Sequence, residues 1–232
     1  MSRSVTGRRF VLEAIAAGTI RRVHLDQSQK GKLGDIRSAA ERAGIEVREV
    51  PRRTLDDLAG GVRHQGVVAT GPPYPFRSLE KLLDGGGLLV ALDEITDPHN
   101  AGAIIRSAVA FGARGVLLPK HRAASITPVV VRASAGATEH ARIAQVTNLQ
   151  RALQSASDAG FLIAGLAGDG ETMLADLSVS SPLVLVVGSE GKGLRRMVRK
   201  RCDHVLRIPM SGPTESLNAS VATAIALYEL TR

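Results

Sequence analysis

Apolar residues along this chain recur at two spacings, and the switches between them mark out its elements. Residues 10–20 have helical spacing, Val23, His24 and Leu25 form a short strand, 32–43 reads as a helix stopped by Gly44, and 45–50 alternates as a strand. A helix over 54–59 precedes 65–70, where Val67, Val68 and Ala69 suit a buried strand. This first stretch reads as a small α/β unit. It closes at Gly71-Pro72-Pro73-Tyr74-Pro75, whose prolines fix backbone torsions and remove amide donors, so neither a helix nor a central strand continues through it.

Beyond that break, strands are expected at 88–92, 115–118, 161–166, 183–187 and 205–208, and helices at 101–111, 128–137, 149–159, 194–202 and 218–230. Such alternation predicts the α/β class, with a mostly parallel sheet covered on both faces. The expected organisation is a small domain at 1–71, a linker at 72–85 and a larger domain at 86–232. Helix 218–230 is apolar enough to pack into its own core or against a second copy, and periodicity does not distinguish the two.

Composition narrows the function classes. The longest nearly unbroken apolar stretch, 159–168, is ten residues, short of the ~18 that a membrane-spanning helix needs. The basic amino terminus is followed by Glu13, Arg21 and Arg22 rather than a signal-peptide core, so a cytoplasmic protein is expected. Cys202 is the single cysteine, which excludes an intrachain disulfide, and the six histidines lie too far apart to suggest a local metal site. A formal charge of +8 favours a polyanionic partner, RNA or DNA. The stretch up to Pro75 is the more basic per residue, with thirteen Lys and Arg against eight Asp and Glu. Aromatics are scarce and Trp is absent, which points to backbone and ribose contact rather than a base-stacking platform.

Three segments carry candidate chemistry. Asp97-Pro98-His99-Asn100-Ala101-Gly102, with Arg106 beyond it, sits where a strand gives way to a helix; the plain reading is that Asn100 caps that helix. The strand 183–187 runs into Gly188-Ser189-Glu190-Gly191-Lys192-Gly193, a glycine-rich turn that matches neither the dinucleotide fingerprint nor a P-loop. A dinucleotide-dependent oxidoreductase is thereby weakly supported. Basic residues Arg195, Arg196, Arg199, Lys200 and Arg201 follow, suited to a solvated face or to phosphates. The third segment, Thr214-Glu215-Ser216-Leu217-Asn218-Ala219-Ser220, opens the last helix with more capping residues than one cap requires, which suggests a polar pocket.

Together these segments resemble the SPOUT superfamily of RNA methyltransferases, specifically the TrmH family that methylates ribose 2′-hydroxyls. The family's first motif, H-N-x-G followed by a helix arginine, appears as His99-Asn100-Ala101-Gly102 and Arg106; its second, G-x-E-G-x-G, as Gly188 to Gly193; its third, S-L-N-x-S, as Ser216 to Ser220. The first stretch, with Thr6-Gly7 leading into a helix and His64-Gln65-Gly66-Val67-Val68-Ala69 near its end, resembles the L30e-like RNA-binding domain of the RlmB-type branch, which acts on a 23S rRNA guanosine.

The resemblance implies an L30e-like substrate-binding domain at 1–71 and a SPOUT catalytic domain with a deep trefoil knot at 86–232. It implies S-adenosylmethionine held by Gly188, Gly193, Ile208, Met210 and Leu217, no metal, and a homodimer whose active sites combine both subunits. It makes Arg106 the principal catalytic residue, with Asn100, Glu190, Ser216 and Asn218 around it. A guanidinium keeps its proton, so Arg106 is read as holding a phosphate and stabilising developing alkoxide charge, with the proton acceptor left open. Methyl transfer to a guanosine ribose of 23S rRNA is the expected activity. The alternatives are the same chemistry on tRNA, or on an rRNA adenosine as in thiostrepton resistance, and a non-catalytic RNA-binding protein. Pro213 lies in the loop before the third motif, where relatives vary.

Overall fold

A computed structural model describes residues 3–178, 182–214 and 216–232; Glu215 of the third segment lies outside the described residues. The chain begins with β1 (Arg3–Thr6), α1 (Arg8–Ala16), β2 (Arg22–Asp26), α2 (Gly34–Arg42), β3 (Glu46–Val50), α3 (Arg52–Ala59) and β4 (Val67–Gly71). It continues through α4 (Leu79–Leu83), β5 (Leu88–Asp93), α5 (Pro98–Ala110), β6 (Gly115–Pro119), α6 (Pro128–Ala133), β7 (Ile143–Val146) and α7 (Leu149–Asp158). The last elements are β8 (Leu162–Leu166), β9 (Thr172–Met173), β10 (Leu183–Gly188), α8 (Arg196–Arg199), β11 (His204–Arg207) and α9 (Ala219–Thr231). These elements form two compact units. One is the chain up to Pro75 together with Ile126–His140; the other is Phe76–Ser125 with Ala141–Arg232.

The first unit is built on a four-stranded sheet, β1-β4-β2-β3, in which β2 and β3 are parallel and β4 is antiparallel to both of its neighbours. Successive strand residues face opposite sides. On β4, Val67 and Ala69 join Val5, Val11, Ile15, Val23, Leu25, Leu33 and Ile36 in one core, while Val68 packs with Leu55 and Ala59 of α3 in another. Val131 of α6 completes the larger core. The same remote segment is held by the buried Glu139 carboxylate, which takes Arg3 at 2.6 Å and the Thr19 hydroxyl, and by the Tyr74 hydroxyl donating to the Thr138 carbonyl at 2.8 Å. The helix expected over 128–137 stops at Ala133, because Ala135 and Gly136 take left-handed backbone, φ 52° and 85°.

The second unit carries a seven-stranded sheet, β7-β6-β5-β10-β8-β11-β9, with every paired neighbour parallel. β10 is buried along its whole length. Val184 and Val186 pack with Leu89, Ala91, Leu149, Leu153 and Phe161 on one face, and Leu185 and Val187 are buried in alternate register. An apolar run without alternation is what two covered faces demand. α5 packs on α9, burying Ile104, Ile105, Ala108, Ala226 and Leu227. Two strands late in the chain enter between earlier ones, β10 between β5 and β8 and β11 between β8 and β9.

Elements too short to show a period escape the sequence reading: β1, β7, β9 and α4, the last inside the 72–85 stretch and anchored by the buried Leu82. The helix expected over 194–202 shrinks to α8, since Arg195 keeps extended backbone (ψ 143°). Among the described residues no helix is long and apolar enough to cross a membrane.

Candidate active site

Four stretches of the second unit meet at the carboxyl ends of its central strands. The loop after β8 (Leu166, Ala167, Gly168, Asp169), the end of β10 with its glycine turn (Val187 to Gly193), Ile208 and Met210 after β11, and the start of α9 (Ser216 to Ala219, Ala222) line a cavity of about 800 Å³. Ligands of open α/β sheets bind at this end, and the volume is that of a small-molecule site.

The glycine turn is shaped by its own close approach. A Cβ on Gly188 would sit 2.2 Å from the Gly193 carbonyl carbon, so only glycine lets the turn fold back on the strand end, where the Gly193 amide donates to the Ser189 carbonyl at 2.8 Å. Below the turn, Gly188 pairs across the sheet with Asp93, whose fully buried carboxylate takes the Arg195 amide at 2.8 Å and its Nε at 2.6 Å. The last residue of β5 thus clamps the far end of the turn.

Above it lies a polar cluster made by the three segments. Asn218 caps α9 with its Oδ1, accepting from the amides of Ser220 (2.9 Å) and Val221 (3.3 Å). That fixes the amide orientation: Nδ2 points the other way and donates to Asn100 Oδ1 at 3.0 Å and to Glu190 Oε1. Asn100 in turn donates through Nδ2 to the same Glu190 oxygen at 3.0 Å, and the Ala219 amide reaches it at 3.4 Å. The cap of α5 is Asp97, which accepts from the amides of His99 and Asn100. Asn100 is therefore not the capping residue that the plain reading made it, and its side chain is available for the cluster.

Of the ten residues singled out from sequence, eight line the cavity: Gly188, Glu190, Gly193, Ile208, Met210, Ser216, Leu217 and Asn218. Asn100 is buried behind them through its bonds to Glu190 and Asn218, whereas Arg106 lies exposed on α5, outside the cavity wall. Sequence reading missed Asp93 and the loop after β8. In that loop Asp169 is paired with Arg199 at 2.8 Å, which holds its carboxyl below the usual carboxylate value. The signal was present: Gly168-Asp169-Gly170 follows a strand as the second motif does. Cys202 is held inert, its thiol pushed up to about 12 by burial. Among the described residues, no group of three His, Cys, Asp or Glu is arranged to hold a metal ion.

The profile of the SpoU rRNA methylase family matches residues 87–228, and that for RNA 2′-O ribose methyltransferase substrate binding matches 4–77. The chain belongs to the SpoU rRNA methylase family. An uncharacterized tRNA/rRNA methyltransferase of Mycolicibacterium paratuberculosis is 48% identical over 99% of this chain and 77% of its own length. Among solved structures, the SpoU methyltransferase AviRb of Streptomyces viridochromogenes, in complex with AdoMet, superposes with a TM-score of 0.80 at 27% identity, covering 99% of this chain and 89% of that one. An AdoMet-bound rRNA methyltransferase of Sinorhizobium meliloti gives 0.82 at 27%, covering 99% and 86%. The α/β architecture with a parallel seven-stranded sheet is that of these SpoU structures.

Proposed function

We propose that this SpoU-family chain is a S-adenosylmethionine-dependent methyltransferase acting on a ribose 2′-hydroxyl of RNA, with a 23S rRNA guanosine as target. It would work in the cytoplasm as a homodimer, the first unit binding the RNA. The observation that carries the reading is the convergence of Asn100, Glu190 and Asn218 in one hydrogen-bonded cluster on a cavity of about 800 Å³. The relatives that hold AdoMet support the choice of cofactor.

The cavity's own chemistry fits that cofactor. Ile208, Met210, Leu217 and Ala222 offer apolar walls, and at Gly191 and Gly193 a Cβ would meet open space, so main-chain groups are accessible for recognition. When bound, S-adenosylmethionine supplies a methyl carbon already activated by a sulfonium charge. What remains for the protein is to align the ribose oxygen and assist loss of its proton. The Asn100–Glu190–Asn218 cluster holds the turn and the start of α9 in fixed register. Arg106 would hold the adjacent phosphate and stabilise alkoxide charge. Its exposed place outside the cavity supports a site completed by a second copy. So do the exposed Val221, Ile225 and Tyr228 on α9, a helix whose Ala226 and Leu227 are buried in its own unit.

The His64-Gln65-Gly66 stretch supports the 23S guanosine target. It is a structured turn in which Gln65 accepts from the Arg8 amide, supplying the cap that Gly7 lacks, and His64 Nδ1 accepts from the Gly66 amide. The test is incubation of the purified protein with S-adenosylmethionine and unmodified 23S rRNA or tRNA transcripts, followed by nucleoside mass spectrometry. The expected product is 2′-O-methylguanosine in 23S rRNA. Methyladenosine or methylated tRNA would reject the target, and a base-methylated product would reject the ribose chemistry.

A further inference from the structure

The basic run that follows the glycine turn divides into two sets. Arg195 is committed to Asp93 at 2.6 Å and faces Glu94 at 3.8 Å, Arg199 pairs with Asp169 at 2.8 Å, and Arg201 donates to the Gln154 amide oxygen. For Lys192, Arg196 and Lys200, no side-chain partner is found among the described residues, and all three are exposed. The division is geometric. The Arg199 amide donates to the Arg195 carbonyl at 2.8 Å and the Lys200 amide to the Arg196 carbonyl at 3.1 Å, so Arg196 and Lys200 share one helical face while the intervening Val198 is fully buried. Lys192 lines the cavity itself. Asp93 and Asp169 are thus paired with arginines of the run itself, whereas Lys192, Arg196 and Lys200 have no ion-pair partner among the described residues.

We infer that Lys192, Arg196 and Lys200 form a phosphate track that carries the backbone of the substrate RNA strand away from the cavity. The inference rests on the reading of the protein as an RNA ribose methyltransferase and adds where on the second unit the strand runs. Lys192 at the cavity wall, with Arg196 and Lys200 on one helical face beyond it, can meet phosphates, the lysines as point charges and Arg196 through its planar guanidinium, and none of these contacts confers sequence preference. Their signature is counterion release.

The experiment measures binding of a mixed-sequence 20-nucleotide single-stranded RNA across a salt series, for the full chain and its variants. Replacing both Arg196→Ala and Lys200→Ala is expected to flatten the slope of log affinity against log salt by about 1.4, two single-strand contacts at ~0.7 each. S-adenosylhomocysteine affinity should stay within about twofold of the parent, since neither side chain lines the cavity. Arg201→Ala removes a charge from the same run but an engaged one, and is expected to leave the slope unchanged. An unchanged slope in the double variant, or a per-charge loss in Arg201→Ala equal to that in the double variant, would overturn the track. If the parent protein bound S-adenosylhomocysteine but no RNA, both the track and the RNA reading would fall. If the alanines abolish S-adenosylhomocysteine binding, the Arg196→Gln and Lys200→Gln pair carries the same comparison.

Discussion

At the scale of the residue, Asn218 serves two roles at once, its oxygen capping α9 and its nitrogen joining Asn100 to Glu190. The roles separate by substitution. Asn218→Ala loses the cap, about 1 kcal/mol, whereas Asn218→Asp keeps an acceptor for the helix amides but sets a second carboxylate against Glu190. Thermal melting should therefore fall in both, through the lost cap in the alanine and through carboxylate repulsion in the aspartate, while turnover falls by roughly tenfold or more in each, as expected when a hydrogen bond to a charged group is lost. Arg106 is the opposite case, an exposed side chain with no hydrogen bond or ion pair among the described residues. Arg106→Ala is expected to lower turnover by about 10²–10³ with S-adenosylhomocysteine binding, read by calorimetry, nearly unaltered. Comparable losses in both would refute a role confined to the reacting oxygen.

At the scale of the element, the remote segment 126–140 makes the most specific claim. Glu139 is fully buried against Arg3, itself only 7% exposed at the side chain, and removing one partner of such a pair costs about 3–5 kcal/mol because the other is left without compensation. Glu139→Ala should thus lose hydrogen-exchange protection first in β1, and Arg3→Met combined with Glu139→Leu should recover part of it. Sequence reading placed the main elements well where the apolar pattern is long and clear, as in the helical period of α7 and the unbroken apolar run of β10. It failed where four residues make an edge strand, as in β7, or where a residue such as Arg195 holds extended backbone inside an apparently helical run. The three motif segments were legible as polar excess at strand ends. That Asp97 rather than Asn100 caps α5 was not, since both types cap helices and only the fold presents Glu190 to one of them.

For the whole molecule, stability should fall toward acid, and the cause can be assigned. Burial, with Arg22 and Arg48 nearby, lowers the pKa of His24 in β2, so its unfolded form binds a proton that the folded form refuses. That contribution is intact above the ordinary histidine value of 6.5 and is lost as pH drops below it toward the depressed folded value. Asp26, held down by its Ser28 hydrogen bonds, adds a second loss in more acid solution, below 3.8. Urea midpoints between pH 8 and 5 should decline in the parent and flatten in His24→Gln. Assembly offers a separate check. If each site joins the cavity of one copy to Arg106 of another, mixing Arg106→Ala with a cavity-dead Gly188→Val protein should restore up to about a quarter of parental activity through mixed dimers. No recovery would mean that each copy works alone.

The stretch that docks into the first unit has a bearing on how such proteins diverge. Because Val131 and Glu139 come from far along the gene, an exchange of the leading residues between two relatives would install a sheet whose filler and counter-ion still belong to the other parent. Recombinants that keep the core and the ion pair of the first unit intact are therefore expected to be those that trade both stretches together, a discontinuous cassette rather than a detachable front end.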